Sequence, residues 1–377
     1  MNIPDVTAIR NAWVEIDTVQ LAQNFAIIDR HAPAQLKRLC VVKDNAYGHG
    51  AITTARLALA HGYCYLAVET IKEAYELRQN DIQAPILLFG EASLEELEAC
   101  VAFNITPCIN SAYRAKQLNE LLIKADKTLS VQVEVDTGMS RWGISDTQAV
   151  EWITTLATDY SQLRLEGVMS HFAMSDEADK SFAMHQLARF NKVIHHPNVQ
   201  QLDLPYIHMS NTGGLLDLPD AHFSMVRTGI LPFGIYPSLV CNQYPGLKPV
   251  MSVKAKVMTL RDLSVGDKVG YGMHFTATHP MKIAVLPIGY GDGYPRVRNN
   301  GYVLIKGSQC RVVGGNAMDA MMVDVTHLPE VALEDEVVLM GQQGQQYIGP
   351  RDLVPWKQTV CYEILTNWRS RLPRIEV

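Results

Sequence analysis

Several things are missing from this sequence, and each absence narrows its chemistry. No run approaches the ~18 consecutive apolar residues that a membrane-spanning helix needs. The opening MNIPDVTAIRNAWVEID has no basic stretch leading into an apolar run, so it does not read as a signal peptide, and a cytoplasmic location is expected. Excess positive charge is absent too: 33 Lys and Arg face 39 Asp and Glu, a formal net charge of −6 at pH 7. With no surplus of basic side chains for phosphates, a small molecule is a better partner than nucleic acid. Seven cysteines, an odd number with no Cys-x-x-Cys pair, fit buried, reduced thiols rather than a disulfide framework. No GxGxxG with a following acid, no GxxxxGK[ST] and no GxSxG occurs, which argues against nicotinamide, nucleotide-hydrolysing and serine-hydrolase chemistry. Neither HxxxH nor a carboxylate cluster suggests a metal.

What remains is an ordinary globular composition, 47% hydrophobic and 19% charged, in a chain of 377 residues. That length suits one large domain plus a smaller one. Eight short β-branched or apolar runs stand out: 40–43, 65–68, 86–89, 106–109, 130–135, 165–170, 206–210 and 224–230. Segments of helical period separate them. Between Glu91 and Asn104, Leu94, Leu97 and Val101 share a face and Ser93 with Glu96 form a capping box; in 181–196, Phe182, Leu187, Phe190 and Ile194 make an apolar stripe. Apolar strands alternating with helices imply a parallel sheet, and eight repeats predict an α/β fold with a (β/α)8 TIM-like barrel, a doubly wound sheet being the alternative. Beyond residue 244 the pattern changes to short alternating strands punctuated by glycine, which predicts a C-terminal all-β domain. The expected division is 1–243 and 244–377, with residues 1–16 free to pair with the β-domain.

In a barrel, residues just after the strands share one face, so Lys43, Arg141, His171, Ser210 to Thr212, and Arg227 to Ile230 are expected to converge. A lysine at the mouth beside Arg141 and Arg227 is suited to a Schiff base. Arg141, in the loop DTGMSRWG, can hold a carboxylate with two parallel bonds. The small and hydroxyl-bearing residues of SNTGG and RTGI suit a phosphate. In the β-domain, Tyr271, Tyr290 to Arg296, Met318 with Asp319, and Tyr362 stand in glycine-rich or strand-edge contexts, and a tyrosine can transfer protons.

VVKDNAYGHG, DTGMSRWGI, SHFAMSDEAD, HMSNTGG, MVRTGI, GYGDGYPR, AMDAMMVDV and CYEI, in this order over essentially the whole chain, resemble the bacterial alanine racemases. The resemblance implies pyridoxal 5′-phosphate and a homodimer whose active sites combine one subunit's barrel with the other's β-domain. It implies racemisation of alanine by two bases, supplying D-alanine for peptidoglycan. Lys43 resembles the lysine that holds the cofactor and works on the D-side α-proton; Tyr271, from the partner, resembles the opposite base. Arg227 resembles the arginine facing the pyridine nitrogen. Tyr47, Thr212, Gly229, Ile230 and Tyr362 match phosphate-contacting positions, and His171 the one packing near the ring. Arg141 and the Met318 backbone match contacts to the substrate carboxylate. Tyr290 resembles the gate of an access channel walled by Asp176, His208 and Arg296, with Asp319 beside Met318.

The sequence departs from that family at several positions. Glu134 stands where many members carry a carbamylated lysine, and its permanent anion is expected to orient Arg141. Thr212 replaces a common Ser, Asp44 a frequent Ala, Ala317 a Cys and Gly315 an Arg, the last leaving more room for substrate. A racemase of serine or of broader range is the nearest alternative. Tyr271 and Tyr362 favour alanine because their phenols crowd longer side chains. A basic-amino-acid decarboxylase of the same fold and a non-catalytic pyridoxal-phosphate carrier are more distant alternatives.

Overall fold

The computed structural model describes residues 9–377. The chain forms two compact units, one made of residues 21–247 and the other of the segment up to Gln20 together with 248–377. Strand β1 (Ala12–Ile16) belongs to the second unit. The first unit holds eight barrel strands, β2 (Lys37–Val41), β3 (Tyr65–Val68), β4 (Ile86–Leu88), β5 (Thr106–Pro107), β6 (Leu129–Asp136), β7 (Leu163–Met169), β8 (Tyr206–His208) and β9 (Met225–Thr228), and a two-residue strand, Ile144–Ser145, beside the end of β6.

All neighbouring pairs among these eight are parallel, in the order β9-β2-β3-β4-β5 and β6-β7-β8. Two seams close the circle. A parallel bridge joins Cys108 to Gln132, with Ile109 N–H donating to Gln132 O at 2.8 Å, and Arg227 N–H donates to Ser210 O at 3.0 Å. The product is a closed (β/α)8 barrel, and the doubly wound alternative falls away because an open sheet would leave both edges unpaired. Leu39, Val41, Tyr65, Ala67, Leu87, Cys108, Met169 and Met225 fill its interior.

Local chemistry starts the intervening helices where the sequence predicts. Thr70 and Glu73 box the N-terminus of Ile71–Gln79, Ser93 and Glu96 that of Leu94–Phe103, and Ser111 caps Ala112–Ala125. Asn104 and Asp126, in left-handed conformation, end the latter two.

The second unit is built on β1, β10 (Met251–Lys256), β11 (Thr259–Leu263), β12 (Met281–Leu286), β13 (Tyr302–Ile305), β14 (Ser308–Arg311), β15 (Met321–Asp324), β16 (Glu336–Gln343) and β17 (Arg374–Glu376). The larger sheet runs β14-β13-β16-β10-β1-β17, and β11-β12-β15 make a smaller one. Alternation explains the place of β1: Ala12, Val14 and Ile16 are buried, while Trp13 and Glu15 face the other way and meet Lys254 of β10, whose ammonium lies 2.8 Å from Glu15. The expectation of an all-β unit needs one correction. Two short helices, Pro350–Lys357 and Cys361–Thr366, occur in it. Pro350 occupies the first turn and Asp352 accepts from Gly349 N–H at 2.7 Å, a start signal that the strand pattern had masked. Among the described residues no helix is long and apolar enough to cross a membrane. All seven cysteines are free thiols.

Candidate active site

β2 ends at Val41, so Lys43 lies in the turn beyond it rather than in the strand. That turn is left-handed. Asp44, Asn45, Ala46 and Tyr47 have φ of 52°, 53°, 52° and 53°, a conformation costing about 1–2 kcal/mol per L-residue. Neighbours hold it in place. Asn45 Oδ1 accepts from Ala51 N–H at 2.8 Å, His49 Nδ1–H donates to the Ala46 and Tyr47 carbonyls at 3.1 and 2.9 Å, and Glu73 accepts from Asp44 N–H at 2.6 Å. From this turn the Lys43 ammonium reaches Glu69, just past β3, at 2.7 Å.

Arg227, on β9, is buried within the barrel. One terminal nitrogen donates to His208 Nδ1 at 2.9 Å; the other donates to His171 Nδ1 and the Ser170 carbonyl, both at 2.9 Å. Because a guanidinium only donates, both Nδ1 atoms are unprotonated, and His208 Nε2–H donates to Gln132 Oε1 at 2.8 Å. Burial pulls the Arg227 guanidinium down to about 10, which leaves it charged at neutral pH. Burial and the charge of Arg227 hold both histidines well below the usual imidazole range, and Arg141 and Lys43 add to the effect at His171. His171 therefore stays neutral, its Nδ1 accepting from Arg227.

Opposite charge enters through Glu134, a buried residue at the end of β6 whose N–H donates to Asn110 Oδ1 at 2.8 Å. Burial pushes its carboxyl up, while Arg141 and Arg227 pull the other way. Arg141 sits in an exposed loop shaped by Asp136, whose Oδ1 accepts from Gly138 and Ser140 N–H at 2.8 and 3.0 Å. At Gly229 an added Cβ would stand 2.3 Å from the Tyr47 hydroxyl, and at Gly213 one would stand 2.7 Å from Ser175 Oγ. The lack of side chains lets Tyr47 and Ser175 pack directly on the backbone of these two glycines, which flank buried Thr212 and Ile230 in the chain. Asp176, whose carbonyl accepts from Ser238 at 2.5 Å, lies on the same unit.

One expectation fails. His208 is not on a channel wall: it has no exposed surface and is wedged between Arg227 and Gln132. Its position inside β8 points it inward, and period alone could not tell the two directions apart.

The second unit holds the remaining residues. Tyr271, 71% exposed, opens a short turn, and a 630 Å³ groove lined by Tyr271, Met273, Val269, Met322 and Ala317 adjoins it. The Arg296 guanidinium lies over the Tyr290 ring at 5.8 Å. Met318 is half exposed; its carbonyl accepts from Gly291 N–H at 2.8 Å. Asp319 pairs with Arg371 at 2.6 Å, and Arg371 and Arg10 both reach buried Asp292, at 3.0 and 2.6 Å. Tyr362 lies in the helix Cys361–Thr366. Sequence reasoning missed Glu69 and Glu73. Thr70-x-x-Glu73 is a capping-box pattern that sequence reasoning did not single out, and nothing in it shows that the carboxylate also reaches Asp44.

A lysine in the turn after a barrel strand, a buried arginine held by two histidines and glycines packed under Tyr47 and Ser175, in a chain with a second, β-rich unit, define a class of two-unit barrel enzymes. Comparison with known proteins narrows the class. Models of the alanine racemase N-terminal and C-terminal domains match residues 16–237 and 250–376. The alanine racemase of Carboxydothermus hydrogenoformans is 37% identical over 98% of this chain and 100% of its own, and that of Halothermothrix orenii 36% identical over 97% and 96%. The solved alanine racemase of Clostridium difficile superimposes with a TM-score of 0.93 at 32% identity, covering 98% of this chain and 96% of that one. The chain belongs to the alanine racemase family.

Proposed function

We propose that this chain is an isomerase that interconverts L-alanine and D-alanine, with pyridoxal 5′-phosphate as cofactor and a homodimer as its working form. The residues suit that cofactor: the Tyr47 hydroxyl lies directly on the Gly229 backbone, a hydroxyl and an unobstructed main chain that suit a phosphate, and Lys43 offers an amine in the turn that carries Tyr47. Lys43 would hold the cofactor's aldehyde carbon, Tyr47, Thr212, Gly229, Ile230 and Tyr362 its phosphate, Arg227 its ring nitrogen, and His171 would pack near the ring. When bound, the cofactor supplies an electron-withdrawing ring that lets the substrate α-carbon release a proton.

The chain's own groups do the rest. Racemisation needs proton exchange on both faces of the α-carbon. The Lys43 amine serves one face, and the phenol of Tyr271 of the partner subunit serves the other, which agrees with a tyrosine left 71% exposed on its own chain. Arg227, committed to two imidazoles, keeps its proton and gives none to the ring nitrogen. Arg141, held by the Glu134 anion, and the Met318 backbone bind the substrate carboxylate. Tyr290, Arg296, Asp176 and Asp319 border the approach. D-alanine made this way would serve peptidoglycan, and the enzyme would work in the cytoplasm.

The observation that carries this reading is the buried Arg227 fixed between His171 and His208 in a barrel whose first βα turn holds Lys43 and lays Tyr47 on Gly229. The test is α-proton exchange of L-alanine in D2O, followed together with chirality, on protein supplied with pyridoxal 5′-phosphate, and repeated with Tyr271→Phe. Exchange with inversion, lost from the L-side in the variant, is expected. Neither exchange nor inversion with alanine would overturn the reading, and serine, for which the missing side chain at Gly315 leaves room, is the next substrate to try.

A further inference from the structure

The Lys43 turn and the loop that carries Glu69 come from different βα connections, and one side chain joins them. Glu73 Oε1 accepts from Asp44 N–H at 2.6 Å, the residue directly after Lys43. Its other oxygen, Oε2, accepts from Glu69 N–H and Thr70 N–H, both at 3.0 Å. A single carboxylate therefore takes three backbone donors from two loops, and a charged acceptor makes each bond stronger than a neutral one would. A helix start needs only part of this. The capping box accounts for the bond to Thr70 N–H and for the return bond from Glu73 N–H to Thr70 Oγ1 at 3.3 Å. The bonds to Asp44 and Glu69 lie outside it. They fall on the residue after the lysine and on the residue whose side chain pairs with that lysine at 2.7 Å.

We propose that Glu73 is a positioning residue for Lys43: its carboxylate fastens the left-handed turn 44–47 to the Glu69 loop and so fixes where the lysine amine stands at the barrel mouth. Four consecutive non-glycine residues at positive φ persist only when their surroundings hold them. Of the groups that do so here, Glu73 alone grips the first residue of the turn and the Lys43 ion-pair partner together. Without it, Asp44 is free to leave the left-handed region, and the lysine swings with it. The importance of this for catalysis rests on the reading of Lys43 as the cofactor lysine; the positioning itself does not.

Four proteins test the proposal: the wild-type chain, Glu73→Ala, Glu73→Gln and Thr70→Ala. Thr70→Ala removes the other half of the same capping box and weakens the helix start, yet leaves the Asp44 and Glu69 bonds in place. The first readout needs no cofactor: the rate at which a small acylating reagent labels Lys43, measured by peptide mass spectrometry. Glu73→Ala is expected to raise that rate at least fivefold, because the amine no longer sits against Glu69, with Glu73→Gln between it and wild type and Thr70→Ala within twofold of wild type. The second readout is the free pyridoxal 5′-phosphate concentration at which half of Lys43 is trapped by borohydride, expected to rise tenfold or more in Glu73→Ala alone. Melting temperatures identify variants that fail to fold, and Glu73→Gln, nearly isosteric, keeps the comparison valid if the alanine variant does. Equal labelling in wild type and both Glu73 variants overturns the proposal, as do equal changes in Glu73→Ala and Thr70→Ala, which would reduce Glu73 to a helix cap. Failure to trap wild-type Lys43 overturns the cofactor reading instead, and the acylation rates still decide the role of Glu73.

Discussion

Gly229→Ala should injure cofactor binding by a calculable route. The new methyl carbon would lie 2.3 Å from Tyr47 Oη, 2.9 Å from Cζ and 3.1 Å from Cε2. Heavy-atom contacts between carbons settle at about 3.5–4.0 Å, so the ring must retreat by roughly 1 Å. Tyr47 has little freedom to do so: it is the last residue of the left-handed turn, at φ 53°, and its ring stands 6.0 Å from that of Phe233. Overpacking of this kind costs about 1–3 kcal/mol. Falling on the loaded state, that is a loss of roughly five- to 150-fold in affinity for pyridoxal 5′-phosphate. Adding Tyr47→Phe removes the 2.3 Å contact but not those to the ring carbons, so the double variant should recover only part of the loss. Cofactor titration by absorbance, with urea unfolding alongside, measures both quantities. Binding within twofold of wild type, together with stability within about 0.5 kcal/mol, would refute the packing argument.

Other perturbations have equally definite outcomes. Glu134→Gln should lower racemisation, because it removes the negative charge that attracts Arg141; since burial disfavours the Glu134 charge, stability at neutral pH should not fall, and unchanged activity would remove Glu134 from the carboxylate site. Buried His171 and His208 are held below the usual imidazole value of about 6.5, so the stability they contribute is complete above that pH and lost as pH falls below it, when the unfolded chain takes up protons first. Denaturant unfolding at a series of acidic pH values should show a decline of up to about 1.4 kcal/mol per pH unit for each histidine, and His208→Gln should make it shallower. Asp292→Ala takes the carboxylate partner from Arg10, leaves Arg371 with Asp319 alone and frees buried Gly289 N–H, which should destabilise the β-rich unit by about 1–3 kcal/mol in calorimetry.

The eight barrel strands were legible because each is an apolar run bounded by turn residues, and the observed strands fall on all eight. Ends were less legible: Lys43 and His171 read as strand residues but lie beyond Val41 and Met169. The left-handed turn was half visible, since Asp44 and Asn45 tolerate positive φ, whereas Ala46 and Tyr47 do so only under tertiary constraint. Among the site residues, Lys43, Arg141, Arg227 and Gly229 announced themselves by position after strands. The inward aim of His208 and the double duty of Glu73 depend on partners 76 and 29 residues away, Gln132 and Asp44, and no local pattern encodes such pairings. For the same reason WVEI could not be assigned to a unit until its partner on β10 was known.

The placement of β1 in the middle of the larger sheet has a consequence for birth on the ribosome. Ala12–Ile16 emerges ahead of the barrel, yet its antiparallel neighbour Met251–Lys256 and its parallel neighbour Arg374–Glu376 follow only after the entire barrel has been made. At about 5–20 residues per second that wait is on the order of 10 s or more. Through it, a strand with Ala12, Val14 and Ile16 on one face has both hydrogen-bonding edges unclaimed, next to a domain already able to fold. The nascent chain must therefore keep its first strand from pairing with other copies of itself, a task for chaperones rather than for the finished structure.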